Sequence, residues 1–139
     1  MKTLLLLIVL ASCSSMTEGE YKKKFHLEDY QSKMEPAEVH AMLTEKMKKC
    51  YPQHNYPVYE QTVSKFDTAT QSGTISYDID NQSMGPKHLV LVEVLKDTVG
   101  SLVKVYSKGD LFRPPGVYKH HIHKWLDGKK ADCHGNGKI

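Results

Sequence analysis

His88-Leu89-Val90-Leu91-Val92-Glu93-Val94-Leu95 is the most apolar run in the chain outside its first ten residues. Valines alternate with leucines, and Glu93 is the only charge after the opening histidine. A run this dense predicts a strand covered on both faces, or nearly so, at the centre of a sheet. Upstream, Ile75, Tyr77 and Ile79 alternate with Thr74, Ser76 and Asp78, which predicts a half-buried strand from Thr74 to Ile79 with one wet face. Another strand is expected from about Val58 to Phe66, after the turn-rich passage Tyr51 to Tyr59. Downstream, Asp97-Thr98-Val99-Gly100 reads as a hairpin connection into a strand from Ser101 to Ser107. Four strands in succession with short links predict an antiparallel meander.

On either side of these strands the apolar period lengthens to about 3.6. A helix is expected from Pro36, because proline suits a first helical position whose N–H has no partner in any case. Glu35 and Glu38 lie at its start and Lys46, Lys48 and Lys49 at its end, as the helix dipole favours. Val39, Met42, Leu43, Met47 and Cys50 fall on one face, and Pro52 stops the helix. After Arg113-Pro114-Pro115-Gly116, a second stripe of Val117, Tyr118, His121, Ile122, Trp125 and Leu126 predicts another helix, capped at Gly128. The expected fold is α+β: a four-stranded antiparallel sheet with two helices packed on one face. It occupies one domain, residues 33–134, and residues 135–139 form a frayed tail.

The N-terminus has a different character. Lys2 precedes a continuous apolar run from Leu4 to Leu10, and the small residues Ala11 and Ser12 follow, the tripartite layout of a secretory signal. The run is far shorter than the ~20 residues a membrane-spanning helix needs. Leu10-Ala11-Ser12-Cys13 resembles the lipobox of bacterial lipoproteins, in which an aliphatic and two small residues precede the acylated cysteine. The resemblance covers residues 1–13. It implies a signal peptide, residues 1–12, that is cleaved, and lipidation at Cys13. It also implies an envelope address, with Ser14 after the cysteine favouring the outer membrane facing the periplasm. Three acyl chains hold a protein to a bilayer essentially permanently, since two already suffice. Residues 13–32 then read as a lipidated N-terminus and flexible tether, polar and without apolar periodicity, with Lys22-Lys23-Lys24 near anionic headgroups or simply solvated.

With Cys13 lipidated, Cys50 and Cys133 remain in an oxidising compartment, where a pair is expected to be bridged. That bridge closes a loop of about 83 residues, for which chain entropy gives roughly 4–5 kcal/mol at most. The formal charge of +3 includes Lys2, so the mature chain is milder still and gives no case for nucleic acid.

Patterns that carry chemistry are sparse. His120-His121-Ile122-His123, with His134 beyond, is the one conspicuous cluster. On a helix His120 and His123 sit at i and i+3, weak metal candidates without the i, i+4 pair or intervening acid of a zinc helix. Arg113, the only arginine, can meet a phosphate or carboxylate or serve as a loop charge. No nucleophile elbow, phosphate loop or calcium loop is present, so no catalytic residue and no cofactor are assigned. The expected role is non-enzymatic: an envelope lipoprotein acting through contacts with another envelope protein. The element order is similar to that of small envelope lipoproteins whose helix cysteine pairs near the C-terminus, and to helix-and-sheet modules of outer-membrane assembly lipoproteins. This is a fold-level likeness. Two alternatives are a metal- or small-ligand-binding lipoprotein and an inhibitor of a wall-degrading enzyme. Ser72-Gly73 and Lys108-Gly109 weakly resemble the loops of such inhibitors.

Overall fold

The computed structural model describes residues 16–51, 53, 59–81, 85–110, 113–131 and 133. In chain order the elements are α1 (Glu18–Phe25), β1 (His26–Ser32), α2 (Pro36–Cys50), β2 (Tyr59–Asp67), β3 (Ser72–Asn81), β4 (Gly85–Asp97), β5 (Gly100–Ser107) and α3 (Pro115–Leu126). The strands form one antiparallel sheet in the order β1-β5-β4-β3-β2. The α+β class, the β2–β5 meander and the central place of β4 agree with the sequence. The expected hairpin is also present, with Asp97 paired to Gly100.

The main core lies on one face of the sheet. Ile75, Tyr77, Val90, Val92, Val94, Val103 and Val105 point into it and meet Val39, Leu43 and Met47 of α2 and Tyr118, Ile122 and Trp125 of α3, all buried. The last residue of α2 and the chain just beyond α3 are joined by a Cys50–Cys133 disulfide, with Cα atoms 4.9 Å apart. Gly128 takes φ +70° and its N–H reaches the Trp125 carbonyl at 3.0 Å, ending α3 in the left-handed conformation that glycine accepts readily.

Two expectations are corrected. Among the described residues the sheet has five strands and the fold three helices, not the expected four and two. The added elements lie in residues 18–32, part of the stretch that the sequence predicts as a flexible tether. α1 is closed by a capping box: the Thr17 side chain accepts from the Glu20 N–H at 3.3 Å, and the Thr17 N–H donates to the Glu20 carboxylate at 2.8 Å. It covers the opposite face of the sheet from α2 and α3, placing Tyr21 and Phe25 over Leu91 and Tyr106. Thus β4 is covered on both sides, by different helices. β1 pairs with β5 as an edge strand, and a register shift between His26 and Glu28 makes Leu27 an extra residue. That shift sets the two apolar residues of β1, Leu27 and Tyr30, three apart, so the period of two expected of a strand is broken in the sequence.

A second bulge shapes β4. Tyr77 pairs with Val90 and Asp78 with His88, so Leu89 is the extra residue and packs into the main core beside Val90. Its carbonyl accepts the Ser107 hydroxyl at 2.6 Å and the Tyr21 hydroxyl at 3.3 Å. Both side chains satisfy a buried acceptor that the bulge leaves outside the ladder.

Gly73 lies where α2 and β2 close in on β3. A Cβ there meets His40 Cδ2 at 2.6 Å, the Lys65 carbonyl oxygen at 2.7 Å and Phe66 Cδ2 at 2.7 Å. One of these is backbone and cannot turn aside. Gly73→Ala is therefore expected to cost about 1–3 kcal/mol, as overpacking does, read as a lower urea midpoint with an unchanged slope. An unchanged midpoint contradicts this packing.

Candidate functional site

The densest gathering of polar and aromatic groups surrounds Tyr51, next to the disulfide. Tyr51 is 1% exposed and its hydroxyl lies 2.7 Å from His121 Nδ1. Its ring stacks on Tyr77 at 5.1 Å between centroids and tilts against Tyr118 at 5.2 Å. The Arg113 guanidinium lies over the Tyr51 ring at 5.4 Å. Every described hydroxyl here has a partner: Tyr118 donates to Asp110 Oδ2 at 2.8 Å, and Tyr77 donates to the Glu60 carboxylate. Burial pushes the phenols of Tyr51, Tyr77 and Tyr118 well above the ordinary tyrosine range. Burial alone lowers the Arg113 guanidinium, but hydrogen bonds to Tyr118 and Tyr77 outweigh it and keep it charged. This arrangement locks α2, β3 and α3 together.

The structure disperses the other residues that the sequence singles out. His120 is exposed, with its ring 6.4 Å from that of buried His121. His123 stacks on Tyr30 at 5.0 Å and its Nε2 lies 3.5 Å from Asp127. Among the described residues no three histidine, cysteine, aspartate or glutamate side chains gather to hold a metal ion. The metal reading of His120 and His123 therefore has no ligand set there, and His134 lies outside the described residues. Ser72 and Gly73 are not a projecting loop: the Ser72 hydroxyl lies 2.7 Å from that of Thr70, and Gly73 is wedged under α2. Gly109 is buried at φ +71°, with its N–H on the Ser107 hydroxyl at 2.9 Å and Pro115 where a Cβ would go. Turn geometry and packing account for both glycine pairs. Cys13 lies outside the described residues.

The face under α1 is not foreshadowed by apolar periodicity, although Thr17 and Glu20, three apart, are the signature of a capping box. Lys22 bridges Glu18 at 2.7 Å and Glu93 at 2.5 Å, and Tyr106 donates to the same Glu93 carboxylate at 2.6 Å. Burial works against the Lys22 charge, yet the two carboxylates hold its ammonium above the ordinary lysine value. Beside them His88 Nδ1 meets Asp78 Oδ1 at 2.6 Å, and the His88 ring lies edge-on to Tyr21 at 5.4 Å. An open trough of about 290 Å³ runs along the β2–β3 end of this face, lined by residues that include Lys65, Asp67, Thr74, Glu93 and Leu95. The register aligns Lys65, Thr74, Glu93, Lys104 and Asp29 in one row across all five strands, with charges of both signs.

The hydrogen bond to Asp78 raises the His88 pKa against the lowering effect of burial. A histidine raised in the folded state stabilises it fully below its unfolded value of about 6.5, and that contribution fades as pH climbs through the folded value. NMR titration is expected to place His88 above the ordinary histidine range, and Asp78→Asn to bring it down and flatten the loss of stability over that window. Identical His88 titration in both proteins contradicts the pairing.

Comparison with protein-family models, with curated proteins and with solved structures finds no match for this chain.

Proposed function

We propose that this chain is a non-enzymatic lipoprotein of the bacterial envelope, anchored through Cys13 to the outer membrane on its periplasmic side and acting through contacts with another envelope protein. One observation carries the reading. Of three cysteines, Cys50 and Cys133 form a disulfide and leave only Cys13, at the end of the lipobox-like run. Structural disulfides belong to exported proteins, so the bridge supports the export implied by residues 1–12, and the odd cysteine is the one that export would lipidate. No helix among the described residues is long and apolar enough to cross a membrane.

The absence of an enzymatic role is part of the proposal. Its support is that the polar groups around Tyr51 are engaged with one another in the core. Action then falls to the outer surface, whose mixed charges suit recognition of a protein.

Cys13→Ala, made in a chain whose residues 1–12 are replaced by an ordinary cleavable secretory signal, tests the anchor. The parent chain is expected in the membrane fraction and the variant in the soluble periplasmic fraction, with equal folded content. A variant that stays in the membrane fraction contradicts anchoring at Cys13. Crosslinking in intact envelopes tests the mode of action: one reproducible protein partner is expected, and its absence at several crosslinker lengths counts against a contact-based role.

A further inference from the structure

The chain between the proposed anchor and the folded domain is short. Thr17 caps α1, so only Ser14, Ser15 and Met16 lie between Cys13 and the capping residue. Fully extended, that segment keeps Thr17 within about 14 Å of Cys13. A domain of this size measures roughly 35 Å across. An anchor at Cys13 therefore holds the α1 side of the sheet against the bilayer, and leaves α2 and α3, on the other side, out of its reach.

The side held there has suitable chemistry. Met16 lies exposed just before the cap of α1, and Gly19, Glu20, Lys23 and Lys24 lie exposed along the outer stripe of the helix, while Tyr21 faces inward. Met16 is 47% exposed, an uncommon state for a large apolar side chain in this fold. Lys22 is engaged by Glu18 and Glu93, but among the described residues neither Lys23 nor Lys24 has a carboxylate partner. Lys24 is steadied by the Phe25 ring, 5.4 Å away. Glu20, the one acid on the stripe, is turned back into the capping box by Thr17.

We propose that the outer stripe of α1 is a membrane-docking surface: Met16 enters the headgroup layer of the bilayer that carries the anchor, and Lys23 and Lys24 pair with the phosphates of its anionic phospholipids. Each lysine brought to such a surface strengthens adsorption about fivefold. With the anchor already holding the domain close, this decides orientation more than attachment. The α2–α3 face then points away from the membrane, toward whatever the protein meets in the periplasm. The inference rests on the lipidation of Cys13.

The test uses the full lipidated chain in nanodiscs of phosphatidylethanolamine and phosphatidylglycerol, with gadolinium chelated to a fraction of the headgroups. Amide relaxation at Gly19 and Lys23 is expected to rise severalfold more than at Glu38 and Glu45, which are exposed on α2. The contrast should shrink in the double variant Lys23→Glu, Lys24→Glu, and in a chain with a flexible glycine-serine spacer inserted between Ser14 and Ser15. Equal enhancement on both faces, or a contrast unmoved by either change, overturns the docking surface while leaving the anchor intact. Recovery of the chain unacylated and outside the nanodiscs overturns the anchor and the docking surface together.

Discussion

The Cys50–Cys133 bridge joins the last residue of α2 to the chain just past α3, and the layout of the core follows from that junction. It closes a loop containing β2 to β5 and α3. The loss of unfolded-chain entropy on closing it is worth roughly 4–5 kcal/mol, against the ~5–15 kcal/mol of net stability usual for a domain. Tying these two points together also brings the ends of α2 and α3 to one side of the sheet. Tyr51, the residue after Cys50, is thereby placed among Tyr77, Tyr118, His121 and Trp125. The aromatic cluster and the bridge are thus one joint, with Arg113 held over it by cation–π attraction and tyrosine hydroxyls.

The other face of the sheet is organised by α1, an eight-residue helix too short to be stable alone. It holds because Tyr21 and Phe25 bury against Leu91 and Tyr106, and because Lys22 finds two carboxylates. The bulge at Leu89 links the faces: the Leu89 side chain enters the α2–α3 core, while its carbonyl receives the Tyr21 hydroxyl from α1. Folding of the N-terminal segment is therefore coupled to the core through one residue of the central strand.

Much of this was legible in the sequence. β4 is marked by density, β3 by alternation, and α2 and α3 by stripes whose members are mostly buried: Val39, Leu43, Met47 and Cys50 on one, with Met42 half-buried, and Tyr118, His121, Ile122 and Trp125 on the other, with Val117 and Leu126 half-buried. α1 and β1 were not legible by period, for physical reasons. α1 buries only Tyr21 fully and offers no stripe, and β1 carries a bulge at Leu27 and the polar residues of an edge strand. The aromatic joint was hidden because Tyr51 lies in a passage rich in turn residues, and its partners are some 26 to 74 positions away. The histidine run was conspicuous for the opposite reason: adjacency in sequence suggested a cluster, but the helix sends His121 into the core and leaves His120 and His123 outside.

The presence of α1 and β1 changes how far the proposed anchor lets the domain stand from its membrane. A domain on a tether of some twenty residues can sample space well away from its membrane; one that begins at Thr17 cannot. The central claim is a division of labour among three cysteines, two stapling the domain and one carrying lipid. Peptide mass mapping of the protein isolated from its native envelope without reduction tests it most directly. The account predicts a Cys50–Cys133 crosslinked peptide and an N-terminal peptide beginning at an acylated Cys13. A disulfide that includes Cys13, or an unmodified Cys13 preceded by residues 1–12, contradicts it.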